Sequence, residues 1–318
     1  MIILVKSLTS PFLPATVLKV AFVFLFVLSG AVYGEQSQGK KMSLDETCVA
    51  ISSKLASVSL NDCLEGGLIY SGSHSINNVP ILVREYPPLK HRVPQARVLL
   101  VGGTHGDEYS SVSVVFRWIQ TLNVHHSGLF HWVFVPLLNP DGLLLSSSTR
   151  TNSRGVDINR NFPGPLWQEA GFNRWVEYTD KNPRYYPGPY AMSEPETMFL
   201  VRLITNFNPD VIISLHSPLG LVDYDGPGSP PSRLGGLGLR RLGNFPGTLG
   251  NFAGKQLGIP VITIEFSSSG RMPSREETSS MWRDLVRWLV NNVPVEHDPE
   301  RLKAHKEQLE LKKEFFGK

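Results

Sequence analysis

His105 and Glu108 stand three residues apart in the stretch Gly102-Gly103-Thr104-His105-Gly106-Asp107-Glu108. An imidazole nitrogen and a carboxylate at that spacing can turn inward onto one cation. Zinc accepts such mixed nitrogen and oxygen ligands, and its catalytic sites take three from the protein and leave a fourth position for water. The pair alone is a weak signal, and a solvated loop or a helix-terminal carboxylate is the more common reading. A third donor is offered by His216, which closes the apolar run Val211-Ile212-Ile213-Ser214-Leu215, and Glu265 closes Val261-Ile262-Thr263-Ile264 in the same way. Between these lies Thr149 to Pro163, where Arg150, Asn152, Arg154, Asn159, Arg160 and Asn161 surround Asp157.

The elements that must position these groups follow from hydrophobic periodicity. Val98-Leu99-Leu100-Val101 reads as a buried strand ending at a glycine pair. Val112, Val115, Phe116 and Ile119 then recur at the spacing of one helix face. His105 and Glu108 therefore fall at a strand-to-helix turn, where open α/β sheets place their ligands. Strand and helix signals alternate from Val98 to Val290, which predicts an α/β fold, a doubly wound mixed sheet with helices on both faces. Ser193-Glu194-Pro195-Glu196 reads as a capping box opening a helix. Residues 226–250 are dense in Gly and Pro and read as a long loop lying over a site.

Among 318 residues, Lys+Arg 31 nearly balance Asp+Glu 28, so charge makes no case for nucleic acid. In residues 1–34, Lys6 and Lys19 precede an apolar run from Val20 to Leu28, and Val32 and Gly34 suit a signal-peptidase site. This predicts an exported protein with no stable membrane insertion once the leader is cleaved. Residues 35–90 read as a lead-in segment in which Cys48 and Cys63, the only cysteines, form a structural disulfide. Residues 91–295 read as the main domain, and 296–318 as a charged tail.

Taken in this order, the motifs resemble the zinc metallocarboxypeptidase family across residues 80–292. That family pairs His-x-x-Glu with a distant His, matches Asp-x-Asn-Arg-Asn-aromatic at Asp157 to Phe162, and has its base where Glu265 stands. Gly102 to Glu108, Asn139-Pro140-Asp141-Gly142 and Gly155 to Pro163 look like the murein peptide amidase branch, which cleaves the γ-D-glutamyl–diaminopimelate bond of cell-wall peptides. The resemblance implies a single zinc-carboxypeptidase-like domain, one zinc ion on His105, Glu108 and His216, a murein or other peptide as partner, and a periplasmic location. It implies Glu265 as the base that moves the water's proton to the leaving amine, and Asp157 as the acceptor for the zinc-binding His105. Arg150 would stabilise the oxyanion, and Asn159 with Arg160 would bind the substrate's terminal carboxylate. Asp223 and Asp225 suit the ammonium of a diamino acid, with a surface turn at Asp225-Gly226 the favoured alternative. Many family members carry a tyrosine shortly before the catalytic glutamate, and Leu242-Gly243-Asn244-Phe245-Pro246-Gly247 lacks one. Cleavage of ordinary L-peptides, deacylation of N-acyl amino acids, and a non-catalytic murein-binding module are the alternatives.

Overall fold

The computed structural model describes residues 41–293 and Lys303. The leader read at residues 1–34 lies outside the described residues, as does the tail at 296–318 apart from Lys303.

The chain begins with α1 (Leu44–Lys54) and α2 (Leu60–Leu64). Each opens on a capping box, Ser43 with Glu46 and Ser59 with Asp62, which satisfies the first orphan N–H groups of the helix. Cys48 and Cys63 are joined as a disulfide between the two helices, and both are fully buried. Next come β1 (Ile69–His74), β2 (Pro80–Tyr86) and β3 (Ala96–Val101), then α3 (Tyr109–His125) and β4 (Phe130–Val135). The short α4 (Pro140–Leu144) and α5 (Asn173–Tyr178) precede α6 (Pro195–Phe207), which leads to β5 (Val211–His216) and β6 (Leu221–Asp225). A small hairpin, β7 (Arg233–Leu234) and β8 (Leu237–Gly238), interrupts the Gly/Pro-rich stretch before β9 (Val261–Glu265) and α7 (Arg275–Asn292). Among the described residues no helix is long and apolar enough to cross a membrane.

Seven strands form one mixed sheet in the order β1-β2-β4-β3-β5-β9-β6. The four central strands run parallel, and β2 and β6 pair antiparallel at their two sides. Residue 90 marks no break in this sheet, because β2 pairs with β4 through Arg84↔Phe134 and Tyr86↔Trp132. Alternation along the strands separates two cores. Val98, Leu100, Ile213, Leu215, Ile262 and Ile264 pack toward α3 and α7, whereas Leu99, Val101, Ile212 and Val261 pack toward α6. Helices thus cover both faces, as parallel sheets require.

The functional consequence lies in the strand order. From β3 the chain moves through α3 to β4 on one side, then returns to place β5 on the other side of β3. The carboxyl ends of β3 and β5 therefore diverge into a crevice, the topological switch point where α/β sheets bind ligands.

Candidate metal centre and its chamber

The turn leaving β3 is held by close backbone packing. A Cβ on Gly106 would lie 2.2 Å from the carbonyl carbon of Gly142, so the backbone of α4 can approach only a glycine here. Glu108 stands at the N-cap of α3, and its side chain makes no capping hydrogen bond to that helix. Its carboxylate turns instead toward His105 and His216. His105 Nδ1 lies 2.7 Å from Glu108 Oε1, His216 Nδ1 lies 3.0 Å from Glu108 Oε2, and the two imidazole nitrogens are 3.2 Å apart. The N–H of Ser217 donates to the same Oε2 at 3.2 Å. All three side chains are buried.

The other face of His105 decides its tautomer. Nε2 lies 3.1 Å from Asp157 Oδ1, which can only accept, so Nε2 carries the hydrogen and a neutral ring leaves Nδ1 bare. That bare nitrogen then faces a carboxylate oxygen and a second imidazole nitrogen, an assembly of lone pairs that needs a proton or a cation at its centre. The donor atoms lie within 4.8 Å of one another, so His105, Glu108 and His216 could hold a metal ion, and the donor set suits zinc. Burial alone would raise the pKa of Glu108, but His105 and His216 outweigh it and hold the carboxyl well below its usual range. Asp157 behaves likewise: burial pushes it up, while Arg150 and His105 pull it far down. Arg150 donates Nε–H to Asp157 Oδ2 at 2.8 Å and sets Nη1 3.5 Å from Glu108 Oε1.

Glu265 sits beside this cluster because parallel pairing places it opposite His216, the last residue of β5. It accepts the N–H of Leu219 at 3.4 Å, and burial raises its pKa despite the nearby His216. Arg160 donates to the carbonyl of Asn159 at 2.8 Å, and Asn159 Oδ1 accepts the N–H of Leu249 at 2.9 Å. Thus His105, Glu108, Arg150, Asn159, Arg160, His216 and Glu265 all line one chamber of about 310 Å³, with Asp157 directly behind His105.

Residues 68–226 match the zinc carboxypeptidase family profile. Murein peptide amidase A of Escherichia coli K12 is 31% identical over 201 residues, covering 60% of this chain and 79% of that protein. The chain belongs to the zinc carboxypeptidase family. The same-named protein of Vibrio campbellii is 35% identical over 130 residues, covering 40% of this chain and 50% of that one. The crystal structure of murein-tripeptide amidase from Escherichia coli O157 superposes with a TM-score of 0.52 at 28% identity, over 70% of this chain and 92% of that one. Bovine thrombin-activatable fibrinolysis inhibitor, at 17% identity, shares the fold with a TM-score of 0.56 over 80% of this chain and 99% of that one. As a zinc carboxypeptidase, the protein is a peptide hydrolase.

Several groups in this zinc carboxypeptidase's chamber depart from the sequence expectations. Asp223 and Asp225 are not in a surface turn. They belong to β6, which pairs with β9, and both line the chamber. Ser214, Thr263 and Asp223 are register partners across β5, β9 and β6, forming a polar row two residues below His216 and Glu265. Among the described residues the buried hydroxyl of Ser214 has no hydrogen-bond partner. Strand pairing created this row, and one run of sequence carries no sign of which strands become neighbours. Ser193 does not cap α6. Glu194 is the N-cap residue, and its carboxylate instead accepts Ser193 Oγ and Asn152 Nδ2, each at 2.7 Å. The Gly/Pro-rich stretch contributes Leu242, Gly243, Phe245, Thr248 and Leu249 to the wall. Arg184 and Tyr185, which sequence reading passed over, enter the chamber from the segment before α6.

Proposed function

We propose that the protein is an exported zinc amidase that hydrolyses cell-wall peptides at the γ-D-glutamyl–diaminopimelate bond. The observation that carries this reading is the polarity of the chamber. Asp223 and Asp225 supply lining carboxylates, and burial raises the pKa of Asp225, so an arriving ammonium would relieve an unfavourable charge. At another wall Arg160 is a guanidinium whose pKa burial lowers, with no carboxylate in ion-pair contact among the described residues. A residue with a free carboxylate and a side-chain ammonium complements both. Similarity to murein peptide amidase A supports diaminopimelate as that residue.

His105, Glu108 and His216 would hold zinc, with Asp157 fixing the ring of His105 through its Nε2–H. Zinc bound there supplies positive charge that polarises a carbonyl and acidifies water toward a pKa of about 7. Glu265, beside His216 and raised in pKa by burial, accepts the attacking water's proton and returns it to the leaving amine. Arg150 donates one N–H to Asp157, sets Nη1 3.5 Å from Glu108, and has further N–H groups to meet the negative charge developing on the carbonyl oxygen. Asn159 and Arg160 hold the leaving residue's carboxylate.

A second reading rests on the same chamber: an L-peptide ending in lysine offers the same pair of charges. The catalytic chain of human carboxypeptidase N is 24% identical over 226 residues, covering 58% of this chain and 45% of that one. The purified protein with zinc should release diaminopimelate from L-alanyl-γ-D-glutamyl-diaminopimelate. Cleavage of a lysine-terminated L-peptide with the tripeptide left intact favours the second reading, and binding without release of either would make it a binding module. Glu265→Gln should lower turnover about 100- to 10,000-fold while zinc content is unchanged.

A further inference from the structure

One hydrogen-bond donor on the chamber wall beside Arg150 and Arg160 has no assigned role. Tyr185 lines the chamber with Arg150, Asn159 and Arg160, its ring 5.4 Å from the guanidinium carbon of Arg150. Its hydroxyl has no hydrogen-bond partner among the described residues. Tyr185 and Arg160 also line a second cavity of about 250 Å³, which Arg174 and Trp175 border from beyond. The two residues therefore form a partition, the end wall of the chamber that holds the metal cluster.

This position is built in. Tyr185 closes a single helical turn, Pro183–Tyr185, that Asn182 caps by accepting the N–H of Arg184 at 3.0 Å. Arg184 Nη1 reaches Asp107, between the two metal-side residues of the first turn, at 2.7 Å. The next carbonyl, Tyr186, accepts the N–H of Asp157 at 2.8 Å. Asn161 Nδ2 holds the carbonyls of Pro187 and Tyr190 at 2.8 and 2.9 Å. The tyrosine is thus tied to the same stretch that presents Asp157, Asn159 and Arg160. A donor fixed before ligand arrives loses little rotamer freedom on binding.

We propose that Tyr185 donates its hydroxyl hydrogen to the free carboxylate of the leaving residue, which it shares with Arg160 at the end wall. A group supplied by the segment before α6 would then hold the substrate terminus, on a chain with no tyrosine at Leu242 to Gly247. The proposal rests on the terminal-carboxylate part of the functional reading and is independent of whether the peptide is murein.

Tyr185→Phe removes the hydroxyl and keeps the ring against Arg150. With L-alanyl-γ-D-glutamyl-diaminopimelate, KM should rise roughly 10- to 100-fold with kcat within about threefold, the loss expected for one hydrogen bond to a charged group. When the carboxylate next to the scissile amide is itself amidated, the substitution should cause no further loss. Calorimetry in the turnover-deficient Glu265→Gln background should show the same weakening in Kd, with zinc content and thermal midpoint unaltered. Equal KM for both proteins on the free acid would overturn the proposal. So would a fall in kcat at constant KM, which would place the hydroxyl at the scissile carbonyl. If the wild-type protein cuts no murein tripeptide, the same comparison on L-peptides ending in free or amidated lysine decides it separately.

Discussion

Glu108 and Glu196 are both buried carboxylates at the start of a helix, and their surroundings drive them in opposite directions. Around Glu108 stand His105, His216 and Arg150, and the carboxyl is held ionised. Around Glu196 stand Glu194, Asp141 and the neutral amide of Asn152, and burial pushes its pKa up to about 7. Among the described residues one oxygen of Glu196 has no hydrogen-bond partner, while the other accepts Asn152 Nδ2 at 3.3 Å. The difference is one of available cations. The first region concentrates charge where a metal ion could be held. In the second, Arg154 reaches only Glu194, at 3.9 Å, Glu196 is left with a neutral donor, and Asn152 shapes the loop: its Oδ1 accepts the N–H groups of Arg154 and Val156, both at 3.1 Å, turning the chain that carries Arg150 and Asp157.

The contrast can be broken most severely at Glu108. Glu108→Gln should remove zinc from the purified protein and reduce peptide hydrolysis to background, whereas Glu196→Gln should retain both; metal analysis beside a release assay reads each outcome. Next in size is a stability effect confined to the second region. Because the folded pKa of Glu196 lies above the ordinary carboxylate value of 4.5, its contribution to stability is complete below about pH 4.5 and lost as pH rises through 7. Glu196→Gln should therefore gain stability relative to the wild type across that window, on the order of 3 kcal/mol. Urea unfolding at pH 4.5 and 7.5 measures it, and parallel curves would show that Glu196 does not titrate in this range. The smallest effect sharpens the first region. Asp157→Asn should weaken zinc binding about 10- to 100-fold, read by competition with a chromophoric chelator, since the ring of His105 loses its carboxylate acceptor.

The metal cluster was readable before any coordinates because its parts sit at the ends of apolar runs. His105, His216 and Glu265 follow strands whose hydrophobicity is nearly unbroken, and a side chain at the end of a buried parallel strand has one exit, toward the crevice. The motif around Asp157 was equally visible, since its spacing is local. The misread groups were those whose meaning depends on a neighbour remote in sequence. Asp223 reads as part of a polar turn until antiparallel pairing with Thr263 places it on the chamber floor. Ser193 to Glu196 carries the pattern of a helix start, yet Asn152, 42 residues before Glu194, binds that carboxylate to the loop carrying Arg150 and Asp157. Tyr185 has no distinguishing local pattern at all.

Sequence alone thus determined the residue types of the candidate metal cluster, the strand ends that present them and the α/β order of elements, because each follows from periodicity and spacing along one stretch of chain. Only the tertiary structure decided which polar groups share the chamber, which carboxylates meet cations and which meet amides, and where the chamber ends. Those outcomes depend on strand register and on contacts between distant segments, and burial turns each such contact into a large electrostatic difference.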